Sequence, residues 1–258
     1  MQKFNRFFLI LAPIFLFFPA ILSFANESVS TAYILTMPKG GTNLLVKALR
    51  LLTHQEYSLG GTQKINHLNV TFDHLWPQYQ STINEPSSLK IIFFRDPRDM
   101  IISQMFWIEQ VNNWASGLLP QKMVDDFQRL STDEKIHYLI NLPDINCGAN
   151  YFAHLIAANL TNPSVVAFRF EDMVGPLGGG SAAKQDESIC ILADLLGYTL
   201  TPSSLNALCT QLFGNTPTFR EGKIGSWKNY FTEEHKSAFK EKMGKELILL
   251  GYEEDNAW

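Results

Sequence analysis

Three times along this chain an apolar run of strand length gives way to a glycine- or charge-rich turn and then to helical periodicity. TAYILTM, from Thr31 to Met37, ends in Pro38-Lys39-Gly40-Gly41-Thr42, and LLVKALRLL follows from Leu44. LKIIFF, from Leu89 to Phe94, has the continuous apolar character of a strand buried on both faces, and Arg95-Asp96-Pro97-Arg98-Asp99 leads from it into the helical MIISQMFW. SVVAFRFED, from Ser164 to Asp172, reads as a third strand, VGPLGGGS as a loop, and ESICILADLLG from Glu187 as a helix that stops at Gly197. Strands that alternate with helices pair side by side in parallel, so the expected class is α/β in three layers, a central parallel sheet flanked by helices.

The intervening segments read as helices over Thr132 to Asn141, Cys147 to Asn159 and Pro202 to Leu212. A C-terminal helix opens with Thr232 as N-cap and acidic residues in its first turn, and runs to about Lys245. Only VGPLGGGSAAKQDE has the composition of a flexible insertion, so residues 26–258 are expected to form one domain. With 46% apolar and 18% charged positions the chain is too apolar to be disordered. Its net charge of −4 supplies no field for holding nucleic acid. Cys147, Cys190 and Cys209 lack the spacing of a zinc site; one disulfide at most is possible, with Cys190 and Cys209 nearest in sequence.

The chain begins with Lys3 and Arg6, then sixteen uncharged residues from Phe7 to Leu22, then Ser23-Phe24-Ala25. A basic start, an apolar middle and a small-x-small end are the three parts of a secretory signal peptide, here residues 1–25. The run is short for a spanning helix and contains Pro13 and Pro19, so cleavage and export, to a periplasmic, secreted or lumenal destination, is the expectation. A retained membrane anchor is the alternative. The part beyond residue 25 carries 19 basic against 25 acidic residues, so any anion it binds must be held by local groups.

PKGGTN between a strand and a helix gathers backbone N–H groups, a lysine and a hydroxyl at a helix N-terminus, where an anion is favoured. It is not a Walker A loop, because the lysine precedes the glycines. Arg95 ends a buried strand and Ser103 lies eight residues on, about two helical turns at 3.6 residues per turn, so both can reach one phosphate. Arg98 and Asp99 read more simply as a surface ion pair at the helix start. FREGKIGSWKNYFT, from Phe219 to Thr232, adds Arg220, Lys223 and Lys228 in a loop-like stretch. Six basic residues in these three segments mark where an anionic ligand binds.

PKGGT, RDPRDMIIS, FRFED and FREGKIGSWKNYFT resemble, in order, the motifs of sulfotransferases that use 3′-phosphoadenosine 5′-phosphosulfate (PAPS). The motifs span Met37 to Phe231. The resemblance implies a P-loop-like α/β fold with no metal, a sulfuryl donor that is a nucleotide, and an acceptor bearing a hydroxyl or amine. By that resemblance Lys39, Gly40, Gly41, Thr42 and Asn43 hold the 5′-phosphosulfate, Lys39 reaching the leaving oxygen. Arg95 and Ser103 grip the 3′-phosphate, Arg220 and Gly222 close over it, and Phe170 lies near the nucleotide where many members have tyrosine. Lys39, His74 and Ser103 are the implied catalytic set.

His74 lies in FDHLWPQY, at about the spacing before Arg95 at which the family places a histidine. A neutral imidazole there can take the acceptor's proton, an effect typically worth about 10²- to 10⁴-fold. His67 in INHLN is the competitor, and Asp73 orients His74 only if the backbone turns sharply, because adjacent strand residues face opposite ways. The chain departs from the family at Leu44, where many members stack a tryptophan on adenine, at Glu221 in place of a lysine, and at Ser226 in place of an aspartate. The aromatic residues Phe106, Trp107, Trp114, Tyr138, Tyr151 and Phe152 point to an apolar or ring-bearing acceptor. Two other functions stay open: a phosphotransferase using ATP, which the missing Walker A arrangement disfavours, and a secreted nucleotide-binding effector with the same fold and little or no turnover.

Overall fold

The computed structural model describes residues 29–110, 119–142, 148–217 and 219–258. The signal-peptide segment, Trp114 and Cys147 lie outside the described residues. Five strands form one sheet: β1 Thr31–Thr36, β2 Gly61–Ile65, β3 Leu68–His74, β4 Leu89–Phe94 and β5 Val165–Arg169, in the order β2-β3-β1-β4-β5. β3, β1, β4 and β5 are parallel to their neighbours, whereas β2 pairs antiparallel with β3. The sheet is therefore mixed rather than wholly parallel. The β2–β3 hairpin turns at Asn66-His67, with Asn66 at φ 51, and Leu68, Val70 and Phe72 alternate inward. That alternation is present in the sequence and identifies the strand that carries His74.

The main helices are α1 Thr42–Thr53, α2 Pro97–Gln110, α3 Gln121–Arg129, α4 Thr132–Ile140, α5 Ala149–Asn159, α6 Ala182–Leu195, α7 Pro202–Leu212 and α8 Glu233–Leu249. They divide between the faces of the sheet because successive strand residues point opposite ways. Ile34, Ile91 and Phe93 pack with α1, α6 and α7; Leu35, Ile92 and Phe94 pack with α2 to α5 and α8. The result is the expected three layers. LKIIFF is buried at every position, as its composition demands for a central strand covered twice.

Local chemistry sets the helix starts. Asp96 accepts from the Arg98 N–H at 2.9 Å ahead of Pro97, an N-cap followed by proline at the first helical position. Thr232 caps α8 in a box completed by His235. Ser181 caps α6, so that helix begins five residues before Glu187. The stretch 175–186 thus forms a tight turn and the start of a helix. Phe170 to Met173 likewise leave the strand and form one helical turn.

Candidate active site

The parallel strands end side by side. Thr36 is the register partner of His74 on one side and Phe93 on the other, and Phe94 is the partner of Arg169. Lys39, His74, Arg95 and Phe170 therefore emerge along one edge, beyond the carboxyl ends of the strands, where open α/β sheets bind ligands.

The turn between β1 and α1 is held in unusual backbone. Lys39 has φ 60 and Gly41 φ 102, and a Cβ on Gly41 would lie 2.6 Å from the Phe170 ring and 2.9 Å from Phe93. Only glycine lets the chain pass there. Gly41 is also the N-cap of α1 and offers no side-chain cap, which leaves the start of the helix to face an anion. Thr42 Oγ1 donates to the Met37 carbonyl at 3.4 Å, while the Asn43 amide donates to the Pro217 carbonyl. The side chain of Asn43 thus ties the start of α1 to the segment just before Phe219. Burial and the charge of Arg95 lower the Lys39 ammonium from 10.5 to about 8, and its Nζ stands 5.4 Å from the centre of the Trp107 ring.

Arg95 is 9% exposed. Its Nη2 donates to the Lys223 carbonyl at 2.5 Å and to Asp99 Oδ2 at 3.3 Å, and its guanidinium lies over the Phe170 ring. Its Nε is buried with no partner. A buried donor without an acceptor costs about 1–3 kcal/mol, and a ligand oxygen that reached this Nε would remove that cost. Ser103 is half-buried on α2 one turn before Phe106 and Trp107, and those two rings face Arg220 and Lys39. Ser103 therefore shares the helix face that looks onto both cations.

Arg98 and Asp99 are not a surface pair. Both are buried, at 3% and 1% exposure: Arg98 pairs with Asp96 and Glu253, while Asp99 pairs with Arg95. Asp99 also accepts from the N–H groups of Gly225 at 2.8 Å and Trp227 at 2.9 Å. That carboxylate fastens the loop carrying Arg220 to the start of α2. The glycine-rich turn 175–180 buttresses the same loop: Ile224 N–H donates to the Gly178 carbonyl at 3.0 Å, and a Cβ on Gly178 would come within 2.8 Å of the Gly222 carbonyl.

Arg220 stacks over Phe106 at 4.2 Å and pairs with Glu221 at 2.5 Å. Ser226 Oγ donates to the other oxygen of Glu221 at 3.4 Å. The two departures, Glu221 and Ser226, thus contact each other, and the carboxylate is paired with Arg220. Leu44 is packed in the core and offers no surface for adenine, whereas Phe213 and Phe219 pair edge to face at 5.3 Å beside Gly222.

His74 ends β3 with its ring 5.4 Å from Trp76 and Nδ1 2.8 Å from Thr36 Oγ1. Burial is the main cause that pushes its pKa from 6.5 down to about 4, which keeps the imidazole neutral at pH 7. Asp73 does not hold the ring: its Oδ1 accepts from the His74 backbone N–H and its Oδ2 from the Tyr79 hydroxyl. His67 is exposed in the hairpin turn at the other end of β3, roughly 20 Å away at about 3.3 Å per residue. Thr36, Asp99 and Glu171 also lie at the site, and no local sequence pattern marks them. Glu171 accepts from the Asp96 N–H and the Tyr252 hydroxyl, and burial raises it to about 7.

No protein-family model matches the chain. It is 27% identical over 185 residues to the flavonol 3-sulfotransferase of Flaveria bidentis, a match covering 57% of this chain. The chain spans about half the length of that curated relative, 51%. Among solved structures, mouse sulfotransferase SULT7A1 complexed with PAP superposes with TM-score 0.64 at 15% identity, covering 92% of this chain and 93% of the other. The chain has the fold of the PAPS-dependent sulfotransferases. Retinol dehydratase in complex with androsterone and inactive cofactor PAP is also similar, with TM-score 0.58 and 13% identity over 89% of this chain and 85% of the other. Among the described residues no group of three or more His, Cys, Asp or Glu is placed to hold a metal ion, and no helix is long and apolar enough to cross a membrane.

Proposed function

We propose that this sulfotransferase-fold chain transfers a sulfuryl group from PAPS to a hydroxyl or amine of an acceptor by in-line displacement. The observation that carries the reading is the convergence of Lys39, His74 and Arg95, whose buried Nε has no partner, at one sheet edge in the sulfotransferase fold. The residues present fit such a donor. Lys39 and the N-terminus of α1 would hold the phosphosulfate, and Arg95, Ser103, Arg220 and Gly222 the 3′-phosphate. The donor supplies the transferable group and a phosphate leaving group.

Each protein residue then has a defined task. His74 accepts the acceptor's proton at Nε2 as the acceptor oxygen or nitrogen bonds to sulfur. Lys39 stabilises the charge that collects on the bridging oxygen as its bond to sulfur breaks, the electron pair staying on that oxygen. Trp76, edge-on to His74 and backed by the buried Phe152, gives the site an apolar wall that suits an apolar or ring-bearing acceptor. Similarity to a flavonol sulfotransferase and to a structure holding androsterone supports an acceptor of that kind. Export through residues 1–25 belongs to the same proposal, and mass spectrometry of secreted protein should find Asn26 as the first residue.

The deciding experiment is calorimetric titration with adenosine 3′,5′-bisphosphate, beside AMP and ATP-Mg²⁺, followed by a screen of acceptors with PAPS. Selective binding and product support the enzyme. The burial of Leu44 favours one second reading, a nucleotide-binding effector, and binding without product would select it.

A further inference from the structure

We propose that Thr36 is a positioning residue that sets the tautomer of His74 and couples it to the donor cradle through Thr42. The inference rests on the sulfotransferase reading, because it assigns a task to the base of that reaction.

Thr36 is fully buried, and its single hydroxyl lies 2.8 Å from His74 Nδ1 and 3.0 Å from Thr42 Oγ1. One proton must serve both contacts, and the far end of the chain decides how. Thr42 Oγ1 lies 3.4 Å from the Met37 carbonyl, which also accepts from the Gly40 N–H at 2.9 Å and can only accept; we assign the Thr42 proton to that carbonyl. Thr42 Oγ1 therefore accepts from the Thr36 hydroxyl. The Thr36 proton being spent, Thr36 Oγ1 accepts from His74 Nδ1–H, and the lone pair of the imidazole falls on Nε2. That is the atom a general base needs.

A bound donor reinforces the order rather than reversing it. Sulfuryl and phosphate oxygens, like a carbonyl, accept only, so Thr42 donates to them and the direction Thr42, Thr36, His74 is kept. Of the groups close to the ring, Asp73 makes its hydrogen bonds with the His74 backbone and Tyr79 while its charge favours a proton on the imidazole, as does the Thr36 backbone, and the Lys39 ammonium disfavours one. After proton transfer the imidazolium still donates from Nδ1 to Thr36, so the product of the step is held by the same bond.

The test measures the His74 tautomer by side-chain nitrogen–carbon correlation NMR on full-length protein at pH 7, with and without adenosine 3′,5′-bisphosphate, in wild type, Thr36→Ser and Thr36→Val. The expected result is Nδ1–H in wild type and in Thr36→Ser, unchanged or more fully populated with the nucleotide, and Nε2–H in Thr36→Val. With PAPS and an acceptor, Thr36→Val should lose at least about tenfold in kcat, with acceptor KM changed less than about threefold and the serine variant restoring the rate. An Nε2–H imidazole in wild type, or an unchanged tautomer in Thr36→Val, overturns the proposal. If the valine variant fails to fold, the wild-type spectrum alone decides it. The NMR arm needs no turnover, so a protein without sulfotransferase activity and a wrong assignment of Thr36 give different results.

Discussion

The guanidinium of Arg95 lies 4.4 Å from the centre of the Phe170 ring, and each of these residues is the first beyond a pair of strands whose last residues, Phe94 and Arg169, are register partners. The stack holds Arg95 flat while its Nε stays unpartnered. A charge-assisted hydrogen bond to phosphate contributes about 1.5–3 kcal/mol. Arg95→Ala should therefore weaken adenosine 3′,5′-bisphosphate by about ten- to a hundredfold in calorimetry. AMP, which has no 3′-phosphate, should bind both proteins alike, and an equal loss for both ligands would remove Arg95 from the 3′-phosphate site. Phe170→Tyr keeps the ring and should change neither affinity.

Lys39 titrates at about 8 in the free protein, below its ordinary 10.5, because burial and Arg95 both oppose its charge. A bound dianion favours the ammonium, so between about pH 8 and 10.5 binding takes up a proton and affinity falls as pH rises. The limit is roughly tenfold per pH unit for one linked proton. Calorimetry in buffers of different ionisation enthalpy measures the uptake, and Lys39→Met should abolish it. Constant affinity from pH 7 to 9.5 would exclude Lys39 as the phosphosulfate ligand.

His74 is neutral well below the usual histidine range, since burial brings it to about 4. The acid limb of a kcat/KM profile should accordingly lie below about pH 5 rather than near 6.5. Its folded value lies below its unfolded one, so the unfolded chain binds more protons between 6.5 and about 4, and this group withdraws stability as pH falls through that window. His74→Ala should lower kcat by about 10²- to 10⁴-fold with nucleotide binding retained. Normal turnover in that variant would show the base to be elsewhere.

Arg98 is clamped between Trp227 and Trp258, 4.2 and 4.5 Å from their centres, with Asp96 at 2.8 Å and Glu253 also paired to it. Removal of one partner of a buried ion pair costs about 3–5 kcal/mol, because the remaining charge stays in the interior. Arg98→Ala should lose about that much in chemical denaturation. Arg98→Lys should recover only part, since an ammonium neither stacks nor forks. A wild-type midpoint for the alanine variant would mean that the clamp contributes nothing.

Much of the site was legible because its residues lie in short segments at fixed distance from strand ends. PKGGT, Arg95, Phe170 and the 219–232 loop each follow an apolar run or a glycine turn, and the fold carries the first three to one sheet edge. What was not legible involves partners far apart in sequence. Thr36 reads as one more strand residue until β3 is laid beside β1. Asp99 reads as half of a surface pair until the loop at Gly225 and Trp227 folds back onto it.

Local sequence sets the repeated strand–turn–helix units, the glycine geometry at the cradle and the placing of cations in an acidic chain, because each depends on neighbours within a few residues. Tertiary structure alone decided the antiparallel β2 edge, the burial of Arg98 between two rings, and the partner of the His74 imidazole. Those depend on register between strands and on which side chains share a low-dielectric interior, which no local pattern records.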